Sequence, residues 1–275
     1  MAQPLRYLGA AVLTAVLFGL LYVFFVRSSA GQLVDQLSYD GAENGWRSVT
    51  PFTRRLLDSV PTVSVVIGVS MALVIALVRR NWVTLLVALG AAFAALLASQ
   101  LLKHVLLTRP DLGVEGYAGN SFPSGHTTVA AAAALVVFLV ASPRSRPLVA
   151  AAGTGFAVTA GVATLANQWH RPSDVVAALL LAAFWGCVAG AVLSGRRESR
   201  PRGRPGRVRP ATRRVLLFGV LPAVAVTGVA LLVSVLRASA DTPALLVAYL
   251  GGVTGILAVG TLLAVAGTRL FARLP

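Results

Sequence analysis

The sequence predicts an all-α integral membrane protein, and three observations support this fold class. Of its 275 residues, 57% are hydrophobic and only 12% are charged. The mean hydropathy of +0.80 is not that of a soluble globular domain. Uncharged stretches recur along the chain, and crossing about 30 Å of hydrocarbon takes roughly 20 residues of helix. Spanning segments must be helical because unpaired backbone groups in lipid cost several kcal/mol each.

Eight apolar windows are bounded by the nearest ionisable residues. The fourth is short, so we expect a tilted or partly re-entrant helix there. The first resembles a signal peptide, but its apolar run is longer than usual and Arg27 follows directly. We interpret it as a retained signal anchor, with cleavage as the alternative. The windows are Tyr7–Val26, Ser59–Val78, Asn81–Leu102, Thr127–Pro143, Pro147–Trp169, Val175–Gly195, Val215–Leu236 and Thr242–Thr268.

The net charge of +15 is distributed unevenly around these windows. If the N-terminus is cytoplasmic and the eight spans alternate, the cytoplasmic side holds 16 basic residues against one acidic residue, Glu198. The other side is balanced, with eight of each. Lys and Arg collect in the cytoplasmic loops of membrane proteins. The charge therefore indicates topology, and we expect a multi-pass protein of the cell membrane with no nucleic-acid partner.

The chain divides into four predicted parts. Residues 1–58 form the signal-anchor helix and an extracytoplasmic segment that belong to the core, and residues 59–195 form the membrane helices with the candidate catalytic residues. Residues 196–214 are rich in Arg, Pro and Gly, which predicts a disordered cytoplasmic linker attracted to anionic lipid headgroups. Residues 215–275 hold an accessory transmembrane hairpin whose apolar runs carry no ionisable group.

The polar stretch Arg27–Asp58 has two open interpretations. Its acidic residues, among them Asp35 and Asp40, alternate with apolar ones. One interpretation is a short interfacial helix with Trp46 at the level of the lipid headgroups. The other is an ordinary surface loop.

All the histidines and the one lysine of the chain stand at the ends of apolar windows, at one membrane surface. The chain has three histidines, and its one lysine is Lys103. His104 follows at the outer end of the third window, His126 begins the fourth, and His170 ends the fifth. The fourth and fifth windows cross the membrane twice, so all four residues lie at the same face. Polar groups at bilayer depth are costly, and such a cluster indicates a functional site.

Two helix starts near these histidines have useful chemistry. Ser124 is a good N-cap for the fourth helix, and Gly125 lets a ligand approach the backbone closely. The N–H groups exposed at that helix end favour an anion. The residues after His170 carry signals for the start of the sixth helix. If that turn is helical, His170 and Asp174 are i, i+4 neighbours and can touch.

These residues supply the parts of phosphoryl transfer without a metal or a cofactor. Cations and helix-end amides can hold phosphate oxygens and stabilise charge in the transition state. A histidine oriented by a carboxylate can attack phosphorus, and a second histidine can protonate the leaving oxygen. Structural alternatives are a helix-cap pair for His170 and Asp174, and interfacial snorkelling for Lys103 and Arg109. A zinc site from the histidines would lack any adjacent Cys or Glu.

The same segments resemble the type 2 phosphatidic acid phosphatase family, whose membrane members have a six-helix core. The family pattern has three parts: Lys, six residues, Arg-Pro; then Pro-Ser-Gly-His; then Ser-Arg, five residues, His, three residues, Asp. Residues 123–126 match the second part completely, and His170 and Asp174 match the end of the third. The resemblance covers roughly Asn81–Gly195.

That resemblance implies a role for each matching residue. His170 would be the nucleophile that forms phosphohistidine, Asp174 would orient it, and His126 would be the general acid. The residues that would hold the phosphate are Lys103, Arg109, Ser124 and the backbone of Gly125.

The sequence departs from the family pattern at two places. Five residues, not six, separate Lys103 from Arg109. Ala163 and Thr164 stand where the pattern has Ser-Arg, so a phosphate-binding arginine is missing. The cations that could replace it are Arg171, Arg109 or His104. We expect a lower activity or a different phosphate geometry as a consequence.

The predicted function is hydrolysis of a lipid phosphate or pyrophosphate, of the polyprenyl or glycerolipid class, at the extracytoplasmic face. The alternative is a catalytically weak or inactive membrane protein that binds a phosphorylated lipid. Transport fits less well, because transporters place ionisable groups near the bilayer midplane. The family's haloperoxidase relatives are soluble, which eight spans argue against.

Overall fold

The structure is a computed structural model that describes residues 2–46, 50–116, 119–195, 219–237 and 242–274. These residues form helices and no β-strand, so the all-α prediction is confirmed. A π-helical turn (Leu102–Leu106) continues α4, and a 3-10 turn (Phe271–Arg273) follows α9. The helices are α1 (Ala2–Arg27), α2 (Ser29–Trp46), α3 (Thr50–Arg79), α4 (Trp82–Leu101), α5 (Gly125–Val140), α6 (Arg146–Ala166), α7 (Pro172–Gly195), α8 (Leu221–Arg237) and α9 (Thr242–Leu270).

Each of the eight predicted windows contains a helix. Within the described ranges, six helices are long and apolar enough to cross a membrane. Two shorter apolar helices are Gly125–Val140 and Leu221–Ser234. At 1.5 Å per residue α5 is about 24 Å long, as expected from the short fourth window. The predicted linker, residues 196–214, lies outside the described residues.

The outer surface of the bundle is apolar. Large side chains on α3, α4 and α6 are strongly exposed, among them Val78, Leu86, Phe93 and Leu148. Exposed apolar surface on this scale marks contact with a membrane or a partner. Together with the spanning helices it makes the chain a membrane protein.

Helix α5 lies at the centre of the bundle and packs against α3, α4, α6 and α7. The Arg79 guanidinium donates a 2.7 Å hydrogen bond to the carbonyl of Val140, the last residue of α5. The Arg146 guanidinium donates to the carbonyls of Phe271 and Leu274. These arginines cap one end of the bundle, and the predicted histidine cluster lies at the opposite end of the same helices.

Helix α2 resolves the two interpretations of the polar stretch, because residues 29–46 are helical. The surface-loop interpretation is therefore wrong, and the helix is not confined to the surface. The side chains of Gln32, Asp35 and Gln36 are buried. The Trp46 side chain lies outside the described part of the chain. Helix α2 is thus part of the protein core.

The two helices of the predicted hairpin differ in how they pack. Helix α8 contacts mainly α9, whereas α9 also packs against α2, α6 and α7. Glycines make these crossings close: a Cβ on Gly41 would meet the Leu245 carbonyl oxygen at 2.1 Å, and one on Gly260 would meet Val158 at 2.5 Å. Helix α9 is therefore integrated into the bundle.

A substitution at Gly161 tests this close packing at the centre of the bundle. A Cβ at this position would lie 2.4 Å from Val175 Cγ1 and 3.3 Å from Thr127 Oγ1, so Gly161→Ala crowds α6 against α5 and α7. Overpacking of this kind costs about 1–3 kcal/mol, and we expect a lower Tm in detergent. Gly155→Ala is the matched control on α6, because its Cβ meets nothing within 4 Å. Equal Tm values for the two variants would contradict the packing described.

Candidate active site

The buried carboxylate of Asp174, in the first turn of α7, is the centre of the predicted cluster. Its Oδ2 lies 3.3 Å from His170 Nδ1, so the i, i+4 pair touches as the spacing predicts. The same oxygen accepts the Arg171 backbone N–H at 3.0 Å and the Ser121 hydroxyl at 2.6 Å. Because Nδ1 faces the carboxylate, Nε2 of His170 is the ring nitrogen directed away from it.

A tight turn between α6 and α7 presents His170. The Thr164 carbonyl accepts the backbone N–H groups of Trp169 at 2.9 Å and His170 at 3.3 Å. Gln168 adopts a left-handed conformation with φ of 57°, which non-glycine residues rarely do. Two hydrogen bonds connect Gln168 to Tyr39. The Tyr39 hydroxyl donates to the Gln168 carbonyl, and the Gln168 side-chain amide donates to the Tyr39 carbonyl. Helix α2 therefore braces the turn that carries the histidine.

Two predicted cations reach the cluster from the end of α4 and the loop after it. The Arg109 guanidinium is buried, and its Nη2 lies 3.6 Å from Asp174 Oδ1. Lys103 is partly buried and interacts electrostatically with Asp174 and His126. The Asn120 side chain donates at 2.9 Å to the carbonyls of both Lys103 and Leu107, which fixes the loop that follows.

The start of α5 brings the second histidine to the site. Ser124 donates its backbone N–H to the Asp174 carbonyl at 2.9 Å, so the starts of α5 and α7 are joined. Its hydroxyl caps α5 by accepting the Thr127 N–H. The first N–H groups of a helix lack intrahelical acceptors, and a Cβ on Gly125 would meet only Gln100, at 3.8 Å. The backbone here is open to a ligand, whereas the Ser124 hydroxyl is engaged as a cap.

His126 lies beside the turn that carries His170. Its ring centroid is 5.2 Å from that of Trp169, the neighbour of His170 in the chain. The charge of His170 acts on His126 electrostatically. His126 therefore lies near the turn that carries His170.

Besides Arg109, the two other cations proposed to replace the missing arginine differ in their surroundings. Arg171 is buried, donates to Gln36 Oε1 at 2.7 and 2.9 Å, and lies over the Tyr39 ring at 5.3 Å. It also reaches the Ser121 hydroxyl at 3.4 Å. His104 is exposed on the π-helical turn, and no described contact joins it to Asp174. Arg171 belongs to the wall of the site, and His104 lies outside it.

A comparison with protein families identifies this region. Residues 82–198 match the family model of the PAP2 superfamily. This segment is therefore similar to that superfamily. The match includes α4 to α7 and therefore every predicted site residue, and it supports a phosphatase in general. Comparisons with curated proteins and with solved structures give no match.

Both departures from the family pattern have a structural counterpart in the PAP2 segment. The short spacing after Lys103 coincides with the π-helical turn Leu102–Leu106, and such turns are frequent at functional sites. Thr164 is completely buried, and its hydroxyl donates to the Gly161 carbonyl at 2.7 Å. The place of the missing arginine is thus closed by close packing, not left as an empty space.

Sequence reasoning missed one residue outside the PAP2 segment. Asp35 of α2 is buried, and its carboxylate accepts the backbone N–H of Ser173 at 3.0 Å and the Ser173 hydroxyl at 2.5 Å. Its Oδ2 also lies 3.6 Å from Arg109 Nη2, so Arg109 stands between Asp35 and Asp174. No local motif marks Asp35, because Ser173 lies 138 positions away in the chain and Arg109 is also distant in sequence.

The environment of Asp35 predicts a specific pH dependence. Burial, together with the nearby Asp174 carboxylate, raises the pKa of Asp35 from 3.8 to about 6, although Arg109 and Ser173 act in the opposite direction. A raised pKa means that the folded protein holds this proton more tightly than the unfolded chain. Its contribution to stability is therefore present below about pH 4 and is lost as the pH rises through about 6.

Asp35→Asn tests this linkage, because asparagine does not titrate and can still accept the Ser173 N–H. We expect the Tm of the variant minus that of the wild type to be more positive at about pH 7.5 than at about pH 4.5. Thermal unfolding in the same detergent gives the Tm of both proteins at each pH. Subtracting one Tm from the other cancels the contributions of the ionisable groups that the two proteins share. A difference that stays constant between these pH values, or falls, would contradict the buried environment of this carboxylate.

Proposed function

We propose that the protein hydrolyses a lipid phosphate or pyrophosphate through a phosphohistidine intermediate on His170. The observation that carries this proposal is the contact of His170 Nδ1 with the buried Asp174 carboxylate. A carboxylate at one ring nitrogen selects the tautomer whose other nitrogen has a free lone pair, and it stabilises the positive ring that forms. His170 Nε2 is then the attacking atom.

The reaction has two steps in which His126 changes its protonation state. In the first, Nε2 of His170 bonds to phosphorus, the bond from phosphorus to the leaving oxygen breaks, and His126 protonates that oxygen. In the second, the oxygen of a water molecule bonds to phosphorus, the bond from His170 Nε2 to phosphorus breaks, and His126 accepts the proton that the water gives up. Inorganic phosphate leaves, and His170 and His126 return to their starting forms.

Charge around the site supports binding of the phosphate. Lys103 acts electrostatically on His126, the N–H groups at the start of α5 lie next to His126 in the chain, and Arg109 adds a guanidinium beside Asp174. Groups held in place before the reaction stabilise a phosphoryl transition state without reorganising. These groups supply the stabilisation without a metal ion.

The position of the cluster at the ends of membrane helices favours a substrate anchored in the bilayer. A polyprenyl phosphate or a glycerolipid phosphate places its tail in hydrocarbon and its phosphate at the interface. The excess of arginine in the loops predicted at the other end of the helices supports a cytoplasmic position for that end, so we assign the site to the extracytoplasmic face of the cell membrane. Attraction of anionic headgroups to residues 196–214 remains a prediction.

One observation favours a second candidate, a protein that binds a lipid phosphate and turns it over slowly or not at all. Thr164 is buried in the place of the family arginine, and Arg109 is shared by two carboxylates. Less positive charge is then left for the transition state. Binding of a lipid phosphate with no release of phosphate would support this candidate over the first.

Replacing each histidine in turn tests the proposed reaction. His170→Ala removes the nucleophile and should lower phosphate release by at least about 10³-fold. His126→Ala removes the general acid and should lower it by about 10² to 10⁴-fold. The measurement is release of inorganic phosphate from polyprenyl and glycerolipid phosphates in detergent with EDTA.

The third histidine provides the matched control. His104→Ala changes an exposed imidazole at the same membrane surface and should retain the wild-type rate. Undiminished release by His170→Ala would remove the proposed nucleophile. Loss of activity in EDTA that added metal restores would refute the metal-free mechanism.

A further inference from the structure

A cavity of about 220 Å³ lies between the core and the C-terminal helices. Its walls come from α1, α2, α7, α8 and α9. Residues 82–198 match the PAP2 superfamily, so four of these five helices lie outside the matched segment. The cavity is a feature of this chain beyond its family segment.

The cavity is apolar over most of its wall and polar at one end. Small residues of α9, including Gly251, Gly252 and Gly255, form one side. The polar end is formed by Asp35, Ser38 and Ser173, whereas the Thr227 and Ser234 hydroxyls on α8 donate to backbone carbonyls of their own helix. The Ser38 hydroxyl is buried, and within the described residues it has no hydrogen-bond partner. A buried hydroxyl of this kind is unsatisfied unless a ligand meets it.

The polar end of the cavity adjoins the candidate active site. The pair formed by Asp35 and Ser173 also approaches Arg109, which lies beside Asp174. The polar end meets α9 at Gly252, where a Cβ would lie 2.2 Å from Ser38 Oγ. From that level the cavity reaches Val259, about 10 Å further along the helix at 1.5 Å per residue. This is about a third of a hydrocarbon core about 30 Å thick, so the cavity extends from beside the site into the bilayer.

We propose that this cavity binds the hydrocarbon chain of the substrate whose phosphate reacts at His170. The inference rests on the proposed lipid phosphatase function and gives the C-terminal helices a role in substrate recognition. A cavity of about 150 Å³ accommodates benzene, so by scaling this one holds roughly nine carbon atoms. The Ser38 hydroxyl would donate a hydrogen bond to an oxygen near the head of the chain.

Recognition in this cavity depends on shape. Moving a chain from lipid into an apolar cavity provides no hydrophobic gain, because lipid tails are as apolar as leucine. A filled cavity instead excludes the chain and displaces the phosphate from its productive position. The small residues on α8 and α9 would select a chain by its width.

Two substitutions that fill the cavity test the proposal, each with a control on the same helix. Ser234→Phe on α8 and Val259→Phe on α9 project into the cavity. Val229→Phe and Leu257→Phe add the same ring at exposed positions. The substrates are a long-chain lipid phosphate and p-nitrophenyl phosphate, which is soluble and has no chain.

The filled variants should raise KM for the long-chain substrate at least about tenfold, since small changes in an apolar pocket discriminate to this extent. Their turnover of p-nitrophenyl phosphate should match that of the wild type and of the controls. Equal behaviour of filled variants and controls with the long chain would overturn the proposal. An equal loss on both substrates would also overturn it, because the chain would then have no separate role.

A binding measurement separates this inference from the proposed function. Native mass spectrometry of the purified protein with a non-hydrolysable long-chain phosphonate reports chain binding without turnover. If the wild type releases no phosphate, the phosphatase proposal fails, and loss of the phosphonate from the filled variants alone still supports the cavity. Filled variants that keep the phosphonate but lose a copurified bilayer phospholipid would show that the cavity holds a structural lipid.

Discussion

The buried charge of Asp174 is the interaction on which the rest of the site depends. An isolated carboxylate in a protein interior costs several kcal/mol, and its partners must offset that cost. Here the partners are the ring of His170, the backbone of Arg171 and the Ser121 hydroxyl, with Arg109 at 3.6 Å. They come from the start of α7 and from the loop after α4. Satisfying one carboxylate therefore determines where the histidine and the loop cations lie.

Helix α2 extends the same principle to a second carboxylate. Asp35 receives the N–H and hydroxyl of Ser173, and it shares Arg109 with Asp174. Gln36 of the same helix holds the guanidinium of Arg171. Two buried acids and two buried arginines thus lock α2 onto the start of α7. Such networks stabilise only when their members are satisfied, which explains why polar residues of α2 turn inward from the membrane surface.

The sequence predicted those parts of the fold and site that depend on local spacing. Hydropathy located the six described helices that are long and apolar enough to cross a membrane, and two shorter apolar ones, because each is a continuous apolar run. The spacing of His170 and Asp174 predicted their contact because both lie at one helix start. The N-cap at Ser124 followed from the same local logic, although it leaves the hydroxyl occupied with Thr127 and not free for phosphate.

Long-range packing accounts for what the sequence did not predict. Asp35 meets Ser173 across 138 positions, and α2 looked interfacial because its composition is polar. Helix α9 looked accessory because its apolar run carries no charged residue, yet its glycines let it pack against α2 and α6. Tertiary contacts of this kind leave no local signal in a single sequence.

The most direct test of the account is to identify the residue that becomes phosphorylated during turnover. The protein is mixed with a lipid phosphate carrying radioactive phosphorus, quenched in alkali within milliseconds and digested, and the labelled peptide is sequenced by mass spectrometry. The account predicts a label on His170 that is stable in alkali, labile in acid and absent from the Asp174→Ala variant. Phosphate release with no label on His170, or with a label on another residue, would contradict it.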